Sequence, residues 1–544
     1  MASQEDPQRS DRARLIGAVL LAVVLLVHVA LAWLGRPPGI TTGQDDAQYL
    51  MLGQSLRQGG YHELFRVDLP VHALYPPGYP ALLALWGWPT GDRFDALVGL
   101  SVLLSVTSLL LLHRILRRRL DETTALVSVA LLAVSPLLVR IAGSINSEIA
   151  LVAASVAALF CLSRAADESG RPAETRWLVL AGAAAIYAAL SRVVGVTLLA
   201  AVALHWALER RWRAVGWLTL AGALTVGAWL AWTAVAPDQH VGVSYASDLT
   251  AGINENPWVD PLPGRIPHNL EFYARSFLTT LSVPNLQATA LDWTLGLAVA
   301  ALLLVLGLRR LSEAWRPGAL YATLCGGLLA VWTFTESRYL TPLLVVLLPA
   351  VVTGAHAVAR RVVARQSWPV ALVLLALFGG AAFRRSAAAA ARNASCERSA
   401  AMPAARCVTP GQAAYFDALR WIERETPPNA VILSAKYAPL YYYTGRKTPS
   451  YRGALSRGSD GILPFLDSLG VRHILFTGLL VSEHNRLIPR LAANCRRLAI
   501  ERHFAPRVYL FTVLPDEASG EGACRAIDGL AAAGPPGSGT GDPP

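Results

Sequence analysis

The chain is 544 residues long, 54% hydrophobic and only 16% charged, with a mean hydropathy of +0.41. Soluble domains carry charge on about a quarter of their residues, so this balance argues against an ordinary soluble enzyme and for the bilayer as solvent. The net charge of +11 is almost wholly arginine, since only Lys436 and Lys447 of the 48 basic residues are lysine; the arginines sit in short clusters between apolar runs, not along a soluble face, and this excludes a nucleic-acid partner.

Residues 15–34 hold no charged side chain, close to the ~20 residues that cross ~30 Å of hydrocarbon as a helix. The run is too long for a signal-peptide core and lacks a small-residue cleavage site, so it is read as the first crossing. Further uncharged stretches centre on residues 96–112, 123–139, 149–163, 177–191, 193–208, 214–237, 293–308, 317–335, 339–359 and 366–383. The expected fold is a polytopic α-helical membrane protein with about 11 crossings, although the pair flanking Arg192 also reads as one broken helix. With the N-terminus inside, the inner loops hold 19 arginines and the short outer loops three, Arg140, Arg192 and Arg338. That bias predicts a cytoplasmic N-terminus, residues 1–14, and an extracytoplasmic C-terminus. Residues 15–383 form the membrane domain, with long outer loops at 35–95 and 238–292. An Arg/Ala-rich composition points to a bacterial inner (plasma) membrane.

The exported remainder predicts a small α/β domain over 384–515. Residues 412–425 have helical period and stop before Pro427 and Pro428, and 430–434, 472–477 and 508–513 are short β-rich runs. From 516 to 544 the Gly/Pro/Ser/Ala content rises and a flexible tail is expected. Cys161 and Cys325 fall inside apolar spans, whereas Cys396, Cys407, Cys495 and Cys524 all fall in the exported part. An even number there suggests two disulfides, and short loops favour Cys396 with Cys407 and Cys495 with Cys524, one of three connectivities; four free thiols is the alternative. The chain has no phosphate-cradling Gly-rich loop, no Cys-x-x-Cys and no His-Glu-x-x-His. Nucleotide-driven pumps and zinc hydrolases lose their support with those motifs.

The first outer loop carries the densest signal. Asp45 and Asp46 open a stretch with apolar residues at Tyr49, Leu50, Leu52 and Leu56, which reads as an amphipathic helix lying at the membrane surface. Acids there also suit a helix dipole without any further role. Downstream, Tyr75-Pro76-Pro77-Gly78-Tyr79-Pro80 forms a rigid turn back toward the membrane. Glu148 stands at the outer mouth of the fourth span, Arg192 interrupts two apolar runs, and Glu336, Arg338 and Tyr339 lie where the ninth span ends and the tenth begins. Ionisable groups at such depths usually face a cavity or a ligand, though snorkelling or a structural ion pair accounts for single arginines. Because all lie at one outer level, Asp45, Glu148, Arg192 and Arg338 are expected to converge on one hollow that takes something anionic and lipid-borne.

In order and sidedness these residues resemble the GT-C superfamily of integral-membrane glycosyltransferases, nearest the branch of protein O-mannosyltransferases and lipid A aminoarabinose transferases. The likeness rests on the acidic pair with its aromatic (Asp45, Asp46, Tyr49), the PPxxP turn (Pro76, Pro77, Pro80), Glu148, the SRxxG-like break (Ser191, Arg192, Gly195) and the SRYLTP-like element (Ser337 to Pro342). It implies an inverting enzyme that takes a sugar from a polyprenyl-phosphate carrier and passes it to an acceptor hydroxyl on a lipid, glycan or protein. The first-loop acid of the family maps onto Asp45, with Asp46 in place of the usual Glu. Many relatives place Lys or His before the two prolines; Tyr75 stands there, leaving Arg192 and Arg338 as phosphate ligands, with Tyr49, Tyr75 and Tyr339 as further substrate-binding candidates.

The chemistry reads the same way from the residues. Asp45 would deprotonate the attacking hydroxyl, general-base help being worth typically ~10² to 10⁴ in rate, and arginine holds phosphate through paired hydrogen bonds. Neighbours on a helix point roughly 100° apart, so one of Asp45 and Asp46 faces the reaction and the other orients it or the loop. Glu148 would position the acceptor or a basic neighbour. No cofactor and no metal is expected, because no diphosphate is released, and the Trp-Trp-Asp signature of the oligosaccharyltransferase branch is absent. Aromatics in the second outer loop (Tyr245, Trp258, Phe272, Tyr273) and the Tyr441-Tyr442-Tyr443 run are candidate lids. The rival reading is a multi-span transporter or flippase of lipid-linked substrates, which would show matching halves and polar groups near the bilayer midplane.

Overall fold

The computed structural model describes residues 7–235, 262–281, 290–362, 369, 373, 375–396, 402–515 and 521–535. Helices dominate up to residue 396. In chain order they begin α1 (Pro7–Leu34), α2 (Asp45–Arg57), α3 (Gly78–Thr90), α4 (Phe94–Arg119), α5 (Glu122–Val134), α6 (Pro136–Ala142), α7 (Ser147–Asp167), α8 (Pro172–Ser191) and α9 (Val196–Leu208). Among the described residues six helices are long and apolar enough to cross a membrane: Arg14–Leu34, Phe94–Arg119, Ser147–Asp167, Trp212–Thr233, Thr294–Ala314 and Ser337–Arg360. A seventh follows if α5 and α6, bent by 64°, make one broken span. The larger number read from the sequence includes segments short of a full crossing, such as Val193–Leu208, and the stretch 366–383, part of which lies outside the described residues.

The α5–α6 bend has a local cause. Pro136 brings no N–H, and it drives Ser135 out of the helical region to φ −58°, ψ 125°. The carbonyls freed at the bend are not abandoned in hydrocarbon, where an unsatisfied group is expensive. His28 of α1 donates from Nδ1 to the Ala133 carbonyl at 2.7 Å, and Ser386 donates to the Val134 carbonyl at 2.9 Å.

The helices α8 and α9 settle the ambiguity at Arg192. Trp206, near the end of α9, lies against Gly182 in the middle of α8, so the chain doubles back as a hairpin. Arg192 is extended at its tip, with φ −159° and ψ 139°. A Cβ on Gly195 would lie 2.2 Å from the Ala188 carbonyl oxygen. Only a glycine allows the hairpin to close that tightly.

The C-terminal part folds around a four-stranded sheet of order β1-β2-β4-β3, with β1 (Ile432–Ser434), β2 (His473–Phe476), β3 (Leu498–Phe504) and β4 (Val508–Val513). The β1–β2 pair is parallel and the other two pairs antiparallel. Apolar side chains cover both faces. Tyr415, Phe416, Leu419 and Ile422 of the helix Pro410–Glu425 pack with Leu475 and Leu510, while Ile474, Phe476 and Phe511 pack with Ile462, Leu463 and Leu466. Cys396 is bonded to Cys407 and Cys495 to Cys524, the favoured connectivity.

Two expectations need correcting. Structure does not stop at Asp516, because Glu521–Ala532 is a helix whose Ala523, Ile527 and Leu530 are buried. The Gly/Ala-rich composition hides that one-sided spacing, and the Cys495–Cys524 bond pins the helix to the domain. Nor does α2 lie free on the membrane surface. Nine of its residues, from Asp46 to Ser55, are buried, since the C-terminal domain covers one side of it: Phe65 stacks on Tyr437 at 4.7 Å and Ala438 packs in one cluster with Tyr49 and Met51.

Candidate active site

Four chain ends meet at one level: the start of α2, the start of α7, the α8–α9 tip, and the turn Ser337–Leu340 that leads into the helix Thr341–Val362. They bring together Asp45, Glu148, Arg192 and Arg338. Arg338 is the hub. Its Nη1 lies 2.7 Å from Asp45 Oδ2, and its Nε lies 3.2 Å from Glu148 Oε1 and 2.5 Å from Glu336 Oε2. Arg192 Nη1 stands 3.2 Å from the same Glu148 oxygen. Glu148 is fully buried, yet neither arginine contact has the angle of a hydrogen bond. Its carboxylate is therefore held by charge, between two cations, and not by directed donors.

Neutral groups complete the frame. Arg192 Nη1 donates to Ser147 Oγ at 2.7 Å, and Ser147 Oγ also meets the Tyr49 hydroxyl at 2.8 Å. Arg338 Nη1 donates to Asn146 Oδ1 at 3.3 Å. The ring of Tyr339 lies beneath the Arg192 guanidinium, 4.7 Å from it, which suits a cation–π contact. Tyr49, one turn along α2 from Asp45, sits between Tyr75 at 4.8 Å and Tyr79 at 5.1 Å.

The proline turn sets where Asp45 points. Pro76 and Pro77 cannot extend a strand and instead start α3, so Tyr75 is left just before it with its hydroxyl donating to Asp45 Oδ1 at 3.0 Å. The backbone of Tyr75 is clamped as well: its N–H donates to His72 Nε2 at 2.8 Å and its carbonyl accepts from the Tyr61 hydroxyl at 2.8 Å. His72 Nδ1 donates in turn to the buried Glu63 at 2.7 Å. A Cβ on Gly78 would lie 2.7 Å from the Leu190 backbone, so the turn presses directly on the α8–α9 tip.

Asp45 and Asp46 part company. Asp46 takes no share in the arginine cluster; its Oδ2 accepts from the Thr41 N–H at 2.6 Å and its Oδ1 from the Ala47 N–H at 2.9 Å. It fastens the loop, and burial pushes its carboxyl up from 3.8 to about 6. Gln44, just before the pair, has φ 76°, a left-handed conformation that costs a non-glycine residue on the order of 1 kcal/mol.

Sequence reasoning missed Asn146, Ser147, Glu63 and His72. Asn and Ser before a span look like ordinary helix caps, and nothing local marks a loop histidine as a clamp. Of the candidate lids, Tyr245 and Trp258 lie outside the described residues. Tyr273 donates to the Phe334 carbonyl at 3.4 Å. The Tyr441–Tyr443 run is a joint and not a lid, since Tyr443 donates to the Ile40 carbonyl at 2.8 Å.

A family model described as dolichyl-phosphate-mannose-protein mannosyltransferase matches residues 75–237. No curated protein matches the sequence. In structure the chain is similar to ArnT from Cupriavidus metallidurans in the apo state, with a TM-score of 0.58 and 13% identity over 92% of this chain and 98% of that one. The same protein bound to undecaprenyl phosphate gives 0.54 and 13%, over 93% and 99%. The archaeal oligosaccharyltransferase AglB from Archaeoglobus fulgidus, in complex with an inhibitory peptide and a dolichol-phosphate, gives 0.53 and 12%, over 93% and 75%. The chain thus has the GT-C fold of membrane glycosyltransferases. Within that class it resembles the branch of the O-mannosyltransferases and ArnT.

Proposed function

We propose that the protein is a glycosyltransferase that moves a sugar from a polyprenyl-phosphate carrier to an acceptor hydroxyl on the extracytoplasmic side, with inversion at the anomeric carbon. The observation that carries this reading is the junction of Asp45 and Glu148 on the two arginines, Arg192 and Arg338. Neighbours of the same fold bound to undecaprenyl phosphate or dolichol-phosphate support the donor class.

The residues then have distinct work. As the carrier phosphate arrives it competes with the carboxylates for Arg338, which loosens the Arg338–Asp45 pair and frees Asp45 Oδ2 to take a proton. The acceptor O–H gives its proton to Asp45 while its oxygen bonds to the anomeric carbon; the bond from that carbon to the phosphate oxygen breaks, and the lipid phosphate leaves with the electron pair. Arg192 and Arg338 meet the growing charge on that leaving group. Glu148 holds both guanidiniums in place, Tyr75 aims Asp45, and Tyr49 and Tyr339 offer rings at the site. Asp46 anchors the loop.

The same reading places about eleven crossings in an inner membrane, with the N-terminus cytoplasmic and the disulfide-bonded domain outside, supported by the arginine bias of 19 to three and by the two disulfides. Reporter fusions at residues 14 and 535 test that sidedness. Activity is tested by Asp45→Asn. Glu148 and Glu336 still balance Arg338 in that variant, so abundance and melting should hold while sugar transfer falls ~10² to 10⁴-fold. Transfer at the unaltered rate would end the proposal.

A further inference from the structure

Both arginines of the cluster are committed to carboxylates, Arg338 to Asp45, Glu148 and Glu336, and Arg192 to Glu148. Arg140, at the edge, is exposed and donates to Ser337 Oγ. One further cation lies close by, and it comes from the exported domain. Lys436 follows β1 and directly precedes the helix Tyr437–Thr444, through which that domain rests on the first outer loop. The residue is 7% exposed. Among the described residues its ammonium has no ion pair and no hydrogen bond, although its backbone has both of its partners, Ser434 Oγ and the Tyr415 hydroxyl.

Four carboxylates act on Lys436 through their charge: Glu483 from the helical turn Glu483–Leu487, Asp45 and Asp46 from α2, and Glu336 before the Ser337–Leu340 turn. Glu483 is already satisfied by the Thr477 N–H at 2.9 Å and the Thr477 hydroxyl at 2.5 Å. The carbon chain of Lys436 is covered while its ammonium stays open and unpaired, an arrangement that leaves its donors available to an incoming anion. Composition sharpens the point, because Lys436 is one of only two lysines among 48 basic residues. Lysine presents a compact charge with three rotatable donors, suited to a phosphate oxygen approached from one side.

We infer that Lys436 is a phosphate ligand supplied by the exported domain, placed opposite Arg192 and Arg338 and taking the phosphate monoester group of the lipid carrier. This deepens the reading above and rests on it. It makes the exported domain a working part of the site, with Arg192 and Arg338 offered from the membrane side and Lys436 from above.

The test is titration of the full-length protein in nanodiscs with undecaprenyl phosphate, followed by tryptophan fluorescence. Lys436→Met keeps the side-chain length and removes the charge; it should weaken binding at least ~10-fold, as loss of a charge-assisted hydrogen bond does. Lys436→Arg should stay within ~3-fold of the parent. Lys436→Gln carries the same comparison if Met is not accommodated. Unchanged affinity in the neutral variants would overturn this inference and leave the transferase reading intact. A parent protein that does not bind the lipid phosphate overturns both. Inorganic phosphate serves as the second arm: if it binds the parent as tightly as the lipid does, the ligand is a soluble phosphate and the lipid assignment falls.

Discussion

Asp45 has a guanidinium 2.7 Å from one carboxylate oxygen and a phenol 3.0 Å from the other, whereas Asp46, one residue on, is bound by backbone N–H groups of Thr41 and Ala47. This division gives the pair opposite responses to neutralisation. Burial raises the Asp46 carboxyl to about 6 from 3.8, so the folded chain keeps this proton across a window in which the unfolded chain has released it. Stability therefore falls as pH rises from about 4 through about 6, and above that the full cost is present, on the order of 3 kcal/mol. Asp46→Asn removes this titration but keeps only one of the two backbone acceptors. Its melting temperature should therefore change less than the parent's between pH 4 and pH 7, and its transfer activity should stay within severalfold of the parent. A large activity loss comparable to that of Asp45→Asn would refute the division of roles. The acids and arginines were legible because a charge at the mouth of an apolar span is costly and therefore conspicuous. The clamp of Glu63, His72 and Tyr75 was not, since its residue types are ordinary in a loop and only folding unites them.

At the scale of elements, the long apolar helices and most strands of the C-terminal domain follow from period and composition. β3 escaped detection because its sequence, LAIERHF, is exposed along most of its length and carries charge where a buried strand would be apolar. The α8–α9 hairpin depended on a close approach that no hydropathy pattern shows. Gly195→Ala puts a methyl 2.2 Å from the Ala188 carbonyl oxygen, and relief requires the tip to open. Overpacking of this kind costs ~1 to 3 kcal/mol. We expect a lower melting temperature together with weaker donor binding, as Arg192 moves off Glu148 and Ser147. Unaltered donor affinity would show that the tip's position is not what sets Arg192.

For the whole molecule, the two disulfides have different reach. Cys396 and Cys407 are 11 residues apart, whereas Cys495 and Cys524 are 29 apart and bind the last helix to the sheet domain. Replacing both Cys495 and Cys524 by serine should cost about 3 kcal/mol, seen as a lower melting temperature of the C-terminal domain by calorimetry. Donor binding should persist below that temperature, because Lys436 and the Tyr437–Thr444 helix lie elsewhere in the domain. The α/β character of the C-terminal domain could be read from short β-rich runs, but its seat on α2 could not, since that contact is made by tyrosines and main-chain groups distant in sequence.

The Tyr443–Ile40 hydrogen bond joins residues 403 positions apart, and the bridge between Arg66 and Thr448 ties the same two regions. During synthesis residues 35–95 are made long before the segment that will cover them has left the ribosome. A prematurely terminated chain would thus carry Asp45, Glu148, Arg192 and Arg338 in full and still lack the roof over them. On the transferase reading proposed above, catalytic competence would therefore depend on a segment made about 400 residues after Asp45.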